Sequence, residues 1–166
     1  RIASDELHAL QRTAEAVTAR GIATGVERPY FPAEYLLDGR WIPIQVKARG
    51  IYAPHYLARR PSLRIKFPKD RYFEGKRQIN ISAPYDKGLT ADVTVNWELE
   101  HHGILTWDSQ FVVLRVNDET IGVFQEIEQF GRSMSDRNRR PEGVIFSGSG
   151  QVFGQEGSGP AWEKAQ

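Results

Sequence analysis

The spacing of hydrophobic residues changes after the first twenty residues of the chain. In this first stretch, apolar residues recur at intervals of three and four, which predicts an amphipathic helix over Ser4–Arg20. These residues are Leu7, Leu10, Ala14 and Val17. From residue 33 onward, apolar residues mostly alternate with polar ones, as they do along half-buried strands. The pattern therefore predicts a helix followed by a sheet.

Short apolar runs predict the strands of that sheet. They cover residues 42–48, 63–67, 79–81, 111–116 and 121–127, with an extended run before residue 38 and a short strand over 144–146. Asp38-Gly39 and Asn117-Asp118 are typical of hairpin turns. A second helix is predicted over 91–102, with Thr90 as its N-cap. Because most connections are too short for crossovers, we expect antiparallel strands and an α+β fold.

The same periodicities assign regions and a core. Residues 1–32 form the helix and a loop, residues 33–146 form the main domain, and the Gly/Ser-rich residues 147–166 are expected to be a flexible tail. Alternation within the strands and helical spacing within 91–102 indicate which side chains point inward. The predicted core residues are Ile44, Val46, Leu63, Ile65, Ile79, Ile81, Val93, Trp97, Val113 and Val123.

Composition narrows the classes of function. The chain has 166 residues, and its 22 Lys and Arg against 21 Asp and Glu give a net charge of +1, too little for a general attraction to nucleic acid. The absence of cysteine excludes a disulfide scaffold and a thiol nucleophile. No apolar run is long enough to predict a membrane span. None of the four histidines has a partner at metal-binding spacing, so no metal site is predicted.

Positive charge is nevertheless concentrated in residues 59–77. The cations there are Arg59, Arg60, Arg64, Lys66, Lys69, Arg71, Lys76 and Arg77. Arg64 and Lys66 share one face of a predicted strand, where they would hold a polyphosphate or simply remain solvated. Arg49-Gly50 ends another strand, where glycine lets the backbone approach an anion. Glu126 and Glu128 face the same way, and we expect them to pair with Arg64 or Lys66 rather than to hold a metal.

The order of these segments resembles the spore coat protein H (CotH) kinase family over residues 33–146. The matching segments are Arg49-Gly50, Arg60 to Phe67, Phe73-Glu74-Gly75, Ile79-Asn80-Ile81, Pro84 to Lys87, Phe111 to Asn117, Gly122-Val123-Phe124 and Glu128. In that family a strand ends in Arg-Gly, a basic strand follows, and a Glu comes after an Asn-Gly hairpin. The resemblance implies the small lobe of an atypical protein kinase.

The resemblance also implies an activity, cofactors and site residues. Members of the family transfer the γ-phosphate of ATP, with Mg²⁺, to Ser or Thr of proteins, and some act at spore surfaces. Arg49, Arg64 and Lys66 match the positions expected to meet the nucleotide phosphates. Glu128 matches the Glu expected near the adenine. The implied partners are a protein substrate and a catalytic lobe, supplied by the rest of the polypeptide or by a second chain.

The departures from the family pattern limit this expectation. Ile51-Tyr52 replaces the family's polar pair after Arg-Gly, and Asp118 replaces the hairpin glycine. The later Asn and the Trp-Asp-x-Asp segment, which serve metal binding and catalysis, are absent from this sequence. We therefore expect residues 1–166 to be one lobe, inactive alone, with catalytic residues unassigned. One alternative is a non-catalytic surface or adhesion module. Another is a single-strand nucleic-acid binder with stacking aromatics Tyr56, Tyr72 and Phe73.

Overall fold

The computed structural model of the protein describes residues 1–20, 28–50, 56, 60–84, 88, 90–141, 143, 146–148 and 162–164. The chain divides into two compact units, Arg1–Gln129 and Phe130–Gln166. The first unit contains α1 (Ser4–Arg20), β1 (Phe31–Leu37), β2 (Arg40–Ala48), β3 (Leu63–Lys66), β4 (Gln78–Ser82), α2 (Ala91–His101), β5 (Ser109–Val116) and β6 (Glu119–Glu128). The second contains α3 (Arg132–Arg137), β7 (Phe146–Gly148) and β8 (Trp162–Lys164).

The first unit is built on one six-stranded sheet with the order β1-β2-β3-β4-β6-β5. All neighbouring strands are antiparallel, so the predicted α+β class is confirmed. Strand β6 rather than β5 pairs with β4, which leaves β5 at the edge of the sheet. In the second unit, β7 and β8 form an antiparallel pair. Residues 144–145 and most of the predicted tail lie outside the described residues.

Both predicted hairpin turns are present, and their central residues have positive φ. The φ angles are 49° at Asp38 and 74° at Gly39, and 50° at Asn117 and 69° at Asp118. Such angles fit the twist of a two-residue hairpin and favour Asn, Asp and Gly. The Asn117 side chain also fixes the N-terminus, because its amide exchanges two hydrogen bonds of 2.8 Å with the backbone of Ile2.

The core lies between α1 and one face of the sheet. Helix α1 contributes Leu10, Ala14 and Val17, which are buried as its periodicity predicts. From the sheet, the predicted core residues Ile44, Val46, Leu63, Ile65, Ile79 and Ile81 are all buried. Tyr35, Phe67 and Phe73 form an aromatic cluster with ring centroids 5.4–5.5 Å apart. We call this side of the sheet the core face.

The prediction of the core is wrong for four residues, which are not buried. Val113 and Val123 are exposed because they lie opposite each other on the sheet face turned away from the core. In their strands, Phe124 is buried instead, and Val112 and Leu114 are half-buried against the core.

The other two lie on α2, where the buried residue is Asn96. Trp97 is exposed and stacks on His101, and Val93 is only half-buried. The predicted inward face of α2 is therefore also incorrect. No helix in the described part of the chain is long and apolar enough to cross a membrane.

Candidate anion-binding site

Strand pairing gathers basic side chains on the face of the sheet opposite the core. Lys47 on β2 lies opposite Arg64 on β3, which lies opposite Asn80 on β4. Lys66 follows two residues after Arg64 and therefore points to the same side. Arg49 continues the row beyond β2, since its Nη1 donates a hydrogen bond of 2.8 Å to Ser82 Oγ. We call Lys47, Arg49, Arg64 and Lys66 the cationic face.

Neutral amides hold the guanidinium of Arg64 in place. Its Nε donates to Asn80 Oδ1 at 2.9 Å, and its Nη2 donates to Gln129 Oε1 at 2.7 Å. Asn80 Nδ2 donates to the same Gln129 oxygen at 3.0 Å, which closes a three-residue network. Because these partners carry no charge, the network orients Arg64 without neutralising it. The guanidinium is therefore a pre-positioned cation.

Tyr30 brings the two lysines of the cationic face together. Lys47 Nζ lies 4.5 Å and Lys66 Nζ lies 5.6 Å from the centroid of the Tyr30 ring. An aromatic ring attracts ammonium groups through its negative face. Burial raises the pKa of Tyr30, although the charge of Arg64 and a hydrogen bond from it act in the opposite direction. Tyr30 therefore stays a neutral phenol and adds no negative charge.

The cations of this face destabilise one another. Burial lowers the pKa of Lys47, and the charges of Arg64, Arg28 and Lys66 lower it further. Burial likewise lowers the pKa of Arg64; Tyr30 acts in the opposite direction, and the neighbouring charge of Arg28 lowers it further. The charged forms of such crowded cations are stabilised when a negative charge binds beside them. The cationic face is thus suited to an anion.

The predicted Arg49-Gly50 strand end is arranged differently from expectation. Gly50 has a φ of 121°, a conformation that favours glycine. Its carbonyl, however, accepts hydrogen bonds from Arg28 Nη1 at 2.7 Å and from the Tyr56 hydroxyl at 2.8 Å. The glycine therefore anchors Arg28 next to the cationic face.

Basic residues also extend along the sheet from Lys66. Lys66, Lys69 and Arg77 line one shallow cavity of about 340 Å³, together with the apolar side chains of Phe67 and Pro68. Positive charge therefore continues past the end of β3. A ligand with several negative charges in a row would meet cations over more than one strand.

Glu126 and Glu128 do not pair with the cationic face, which corrects the prediction. Glu128 lies opposite Ile79 and Glu126 lies opposite Ile81, so both carboxylates are on the core side of the sheet. Strand β4 also separates β6 from β3. Glu128 is buried, and its Oε2 accepts a hydrogen bond of 3.3 Å from the backbone N–H of Asp108. The four predicted site residues are thus divided, with Glu128 apart from Arg49, Arg64 and Lys66.

A second charged group, which the sequence did not reveal, surrounds Lys76. This lysine is only 2% exposed. Its Nζ lies 2.6 Å from Asp108 Oδ2, 3.2 Å from Glu74 Oε2 and 3.3 Å from Glu126 Oε1. We call these four residues the Lys76 cluster. A single ammonium is therefore shared by three carboxylates, and it occupies the centre of a structural ion network.

Several residues of the site carried little signal in the sequence. Lys47 had the clearest one, since it lies two residues before Arg49 on the same predicted strand face. Tyr30 and Gln129 had none, because their positions depend on long-range packing. Two of the three stacking aromatics of the nucleic-acid alternative, Tyr56 and Phe73, are buried in the core, so they are not available to stack on bases.

The cationic face gathers positive charge and N–H donors suited to an anion with several oxygens. Within the described residues, no group of three or more His, Cys, Asp or Glu side chains is placed to hold a metal ion. In the Lys76 cluster three carboxylates come together, but an ammonium occupies the centre. Comparison with known proteins finds no matching family model and no matching curated protein.

Proposed function

We propose that the cationic face binds the polyphosphate of a nucleotide. The observation that carries this proposal is the guanidinium of Arg64, held by the neutral amides of Asn80 and Gln129 beside Lys47 and Lys66. A guanidinium offers two parallel N–H donors to phosphate oxygens, and an ammonium offers a mobile point charge. Together they match an anion with several charged oxygens.

We further propose that the chain acts as the phosphate-holding small lobe of a CotH-like protein kinase. The antiparallel six-stranded sheet and the order of sequence segments described above support this reading. Phosphoryl transfer depends on positioning and on electrostatic stabilisation of the transferred group, with metal held by carboxylates. In this scheme Arg49, Arg64 and Lys66 position the phosphates. A catalytic lobe supplies the metal-binding carboxylates and the base that acts on Ser or Thr of a protein.

A non-catalytic interaction module is the second candidate, and one observation favours it. Phe111, Val113 and Val123 are 43%, 62% and 52% exposed on the β5–β6 hairpin. Adjacent exposed apolar residues are typical of surfaces that contact another protein. A surface or adhesion protein would retain this apolar patch and would not need a nucleotide at the cationic face. Nucleotide binding therefore distinguishes the two candidates.

Lys66→Ala should weaken ATP binding by about ten- to a hundredfold. Loss of one charge-assisted contact costs roughly 1.5–3 kcal/mol, and each 1.4 kcal/mol is a factor of ten in affinity. We would measure this by isothermal titration calorimetry of ATP and of inorganic tripolyphosphate, with and without Mg²⁺. Arg71→Ala is the matched control, because Arg71 is an exposed cation of the same basic segment. If both variants and the wild type bound ATP with equal affinity, Lys66 would be a solvated surface residue and not part of a phosphate site.

ATP binding should also be coupled to proton uptake by Lys47. Its pKa is lowered in the free protein, and a bound anion raises it again. At alkaline pH, below the ordinary lysine pKa of about 10.4, formation of the complex should therefore be accompanied by proton uptake. For the same reason, the affinity for ATP should fall as pH rises. Calorimetry in buffers of different ionisation enthalpy measures the uptake, and Lys47→Met should abolish it. Identical uptake in the variant would assign the effect to another group.

A further inference from the structure

A large cavity opens on the other side of the sheet, between α1 and the core face. Its volume is about 610 Å³. The apolar walls include Leu7, Leu10 and Ala14 from α1 and Leu63, Leu114 and Phe124 from three strands. Protein interiors have few voids larger than a water molecule, whereas small-molecule sites measure roughly 300–1,000 Å³. This space therefore has the size and the lining of a ligand site rather than of a packing defect.

The edge of the cavity carries charges of both signs. Arg60, Glu15 and Glu119 all line it. Gly122 on β6 has a φ of 141°, and a Cβ placed on it would lie 3.2 Å from the guanidinium carbon of Arg60. The absence of a side chain at Gly122 thus lets the guanidinium lie directly against the strand. The fold therefore keeps a hydrogen-bond donor next to the apolar walls.

The charges at the edge indicate the chemistry of the ligand's polar end. A carboxylate there would meet the negative charges of Glu15 and Glu119, and an ammonium would meet the guanidinium of Arg60. A hydroxyl avoids both conflicts, because it accepts a hydrogen bond from a guanidinium and donates one to a carboxylate. An uncharged polar end is thus the best match.

We propose that this cavity binds an uncharged, largely apolar small molecule that ends in a hydroxyl group. The apolar body lies between α1 and the strands, and the hydroxyl lies at the edge with Arg60 and Glu119. The site is separate from the cationic face, because the two are on opposite sides of the sheet. It does not depend on nucleotide binding.

Decanol is a suitable probe, with decanoate and decylamine as its charged counterparts. We expect decanol to bind saturably, to shift backbone amide resonances of α1, β3 and β6 in NMR spectra, and to raise the unfolding temperature, as a ligand specific for the folded state does. Decanoate and decylamine should bind more weakly. Tighter binding of either charged compound than of decanol would overturn the assignment of an uncharged end group.

Ala14→Leu should weaken decanol binding by at least about tenfold, because the larger side chain fills part of the cavity. Tenfold is the lower end of the effect seen when a hydrophobic pocket and its ligand are mismatched by one methylene. Ala14 lines the cavity, whereas Ala16 is exposed on the same helix and does not line it, so Ala16→Leu is the matched control. Ala19→Leu tests the same cavity at an exposed position where folding is not at risk. Decanol binding that persists unchanged in both Ala14→Leu and Ala19→Leu would overturn the proposal.

Discussion

Lys76→Met should destabilise the protein by about 3–5 kcal/mol, the cost of removing one partner from a buried ion network. The substitution keeps the length of the side chain but removes the charge. Glu126, only 4% exposed, would then remain as an uncompensated carboxylate, next to Glu74 and Asp108. Urea denaturation at neutral pH measures the change in the free energy of unfolding.

The matching substitution Glu126→Gln should cost far less. Burial would lower the pKa of Lys76, but hydrogen bonding to Asp108 and the charges of Asp108 and Glu126 outweigh it and raise that pKa. Burial raises the pKa of Glu126. The charge of Lys76 and its hydrogen bond lower that pKa, but they only partly offset burial, because Lys76 is shared with two other carboxylates. The ammonium thus has more partners than it needs, and the carboxylates have too few. Equal costs for Lys76→Met and Glu126→Gln would contradict this account.

The pH dependence of stability gives an independent readout of Glu126. Its folded pKa lies above its unfolded pKa, so it contributes stability at low pH that is lost as pH rises through the folded pKa. Glutamine does not titrate, so Glu126→Gln removes the part of the stability loss with rising pH that is due to Glu126. Relative to the wild type, the variant should therefore gain stability between the ordinary carboxyl pKa of about 4.3 and neutral pH. The double variant with Lys76→Met should recover part of the stability lost in Lys76→Met alone.

The parts of the fold that could be predicted are those with an unambiguous period. Strand β3 reads Leu63-Arg64-Ile65-Lys66, so its inward and outward sides are separated by strict alternation. The same sequence pattern identified Arg64 and Lys66 as neighbours on one face. Helix α1 was equally clear, because its apolar residues recur at helical spacing.

The errors occurred where the pattern was uniform. Strand β5 has apolar residues from Phe111 to Leu114 without interruption, so nothing in the sequence says which alternate set faces inward. In α2, Trp97 was predicted to be a core residue because it follows Val93 at helical i,i+4 spacing. The structure instead buries Asn96, which depends on how the helix packs and not on its own composition.

The placement of the acidic residues depended on strand order. Local sequence shows that Glu126 and Glu128 share a face, but not that β6 lies beyond β4 or which residues it meets there. The register with Ile79 and Ile81 sends both carboxylates to the core side. Burial of Lys76 likewise follows from long-range contacts with Asp108 and Glu126. Pairings between distant strands were therefore beyond the reach of single-sequence periodicity.

Ile65→Ala should destabilise the protein by about 2–5 kcal/mol, as expected when a buried aliphatic side chain is truncated and leaves a cavity. Ile65 is 5% exposed and lies between Val46 and Ile79, which are also buried. Ile104→Ala removes the same atoms at a 53% exposed position, and such surface changes usually stay within about 0.5 kcal/mol. Chemical denaturation of both variants measures the difference.

Val113→Ala extends this comparison to the strand whose inward side was mispredicted. Because Val113 is turned away from the core, its truncation should resemble Ile104→Ala rather than Ile65→Ala. Val112→Ala, one residue earlier and packed against the core, should cost more than Val113→Ala. A larger loss of stability for Val113→Ala than for Val112→Ala would mean that β5 presents its other side to the core, because a shift of one residue exchanges the two faces of a strand.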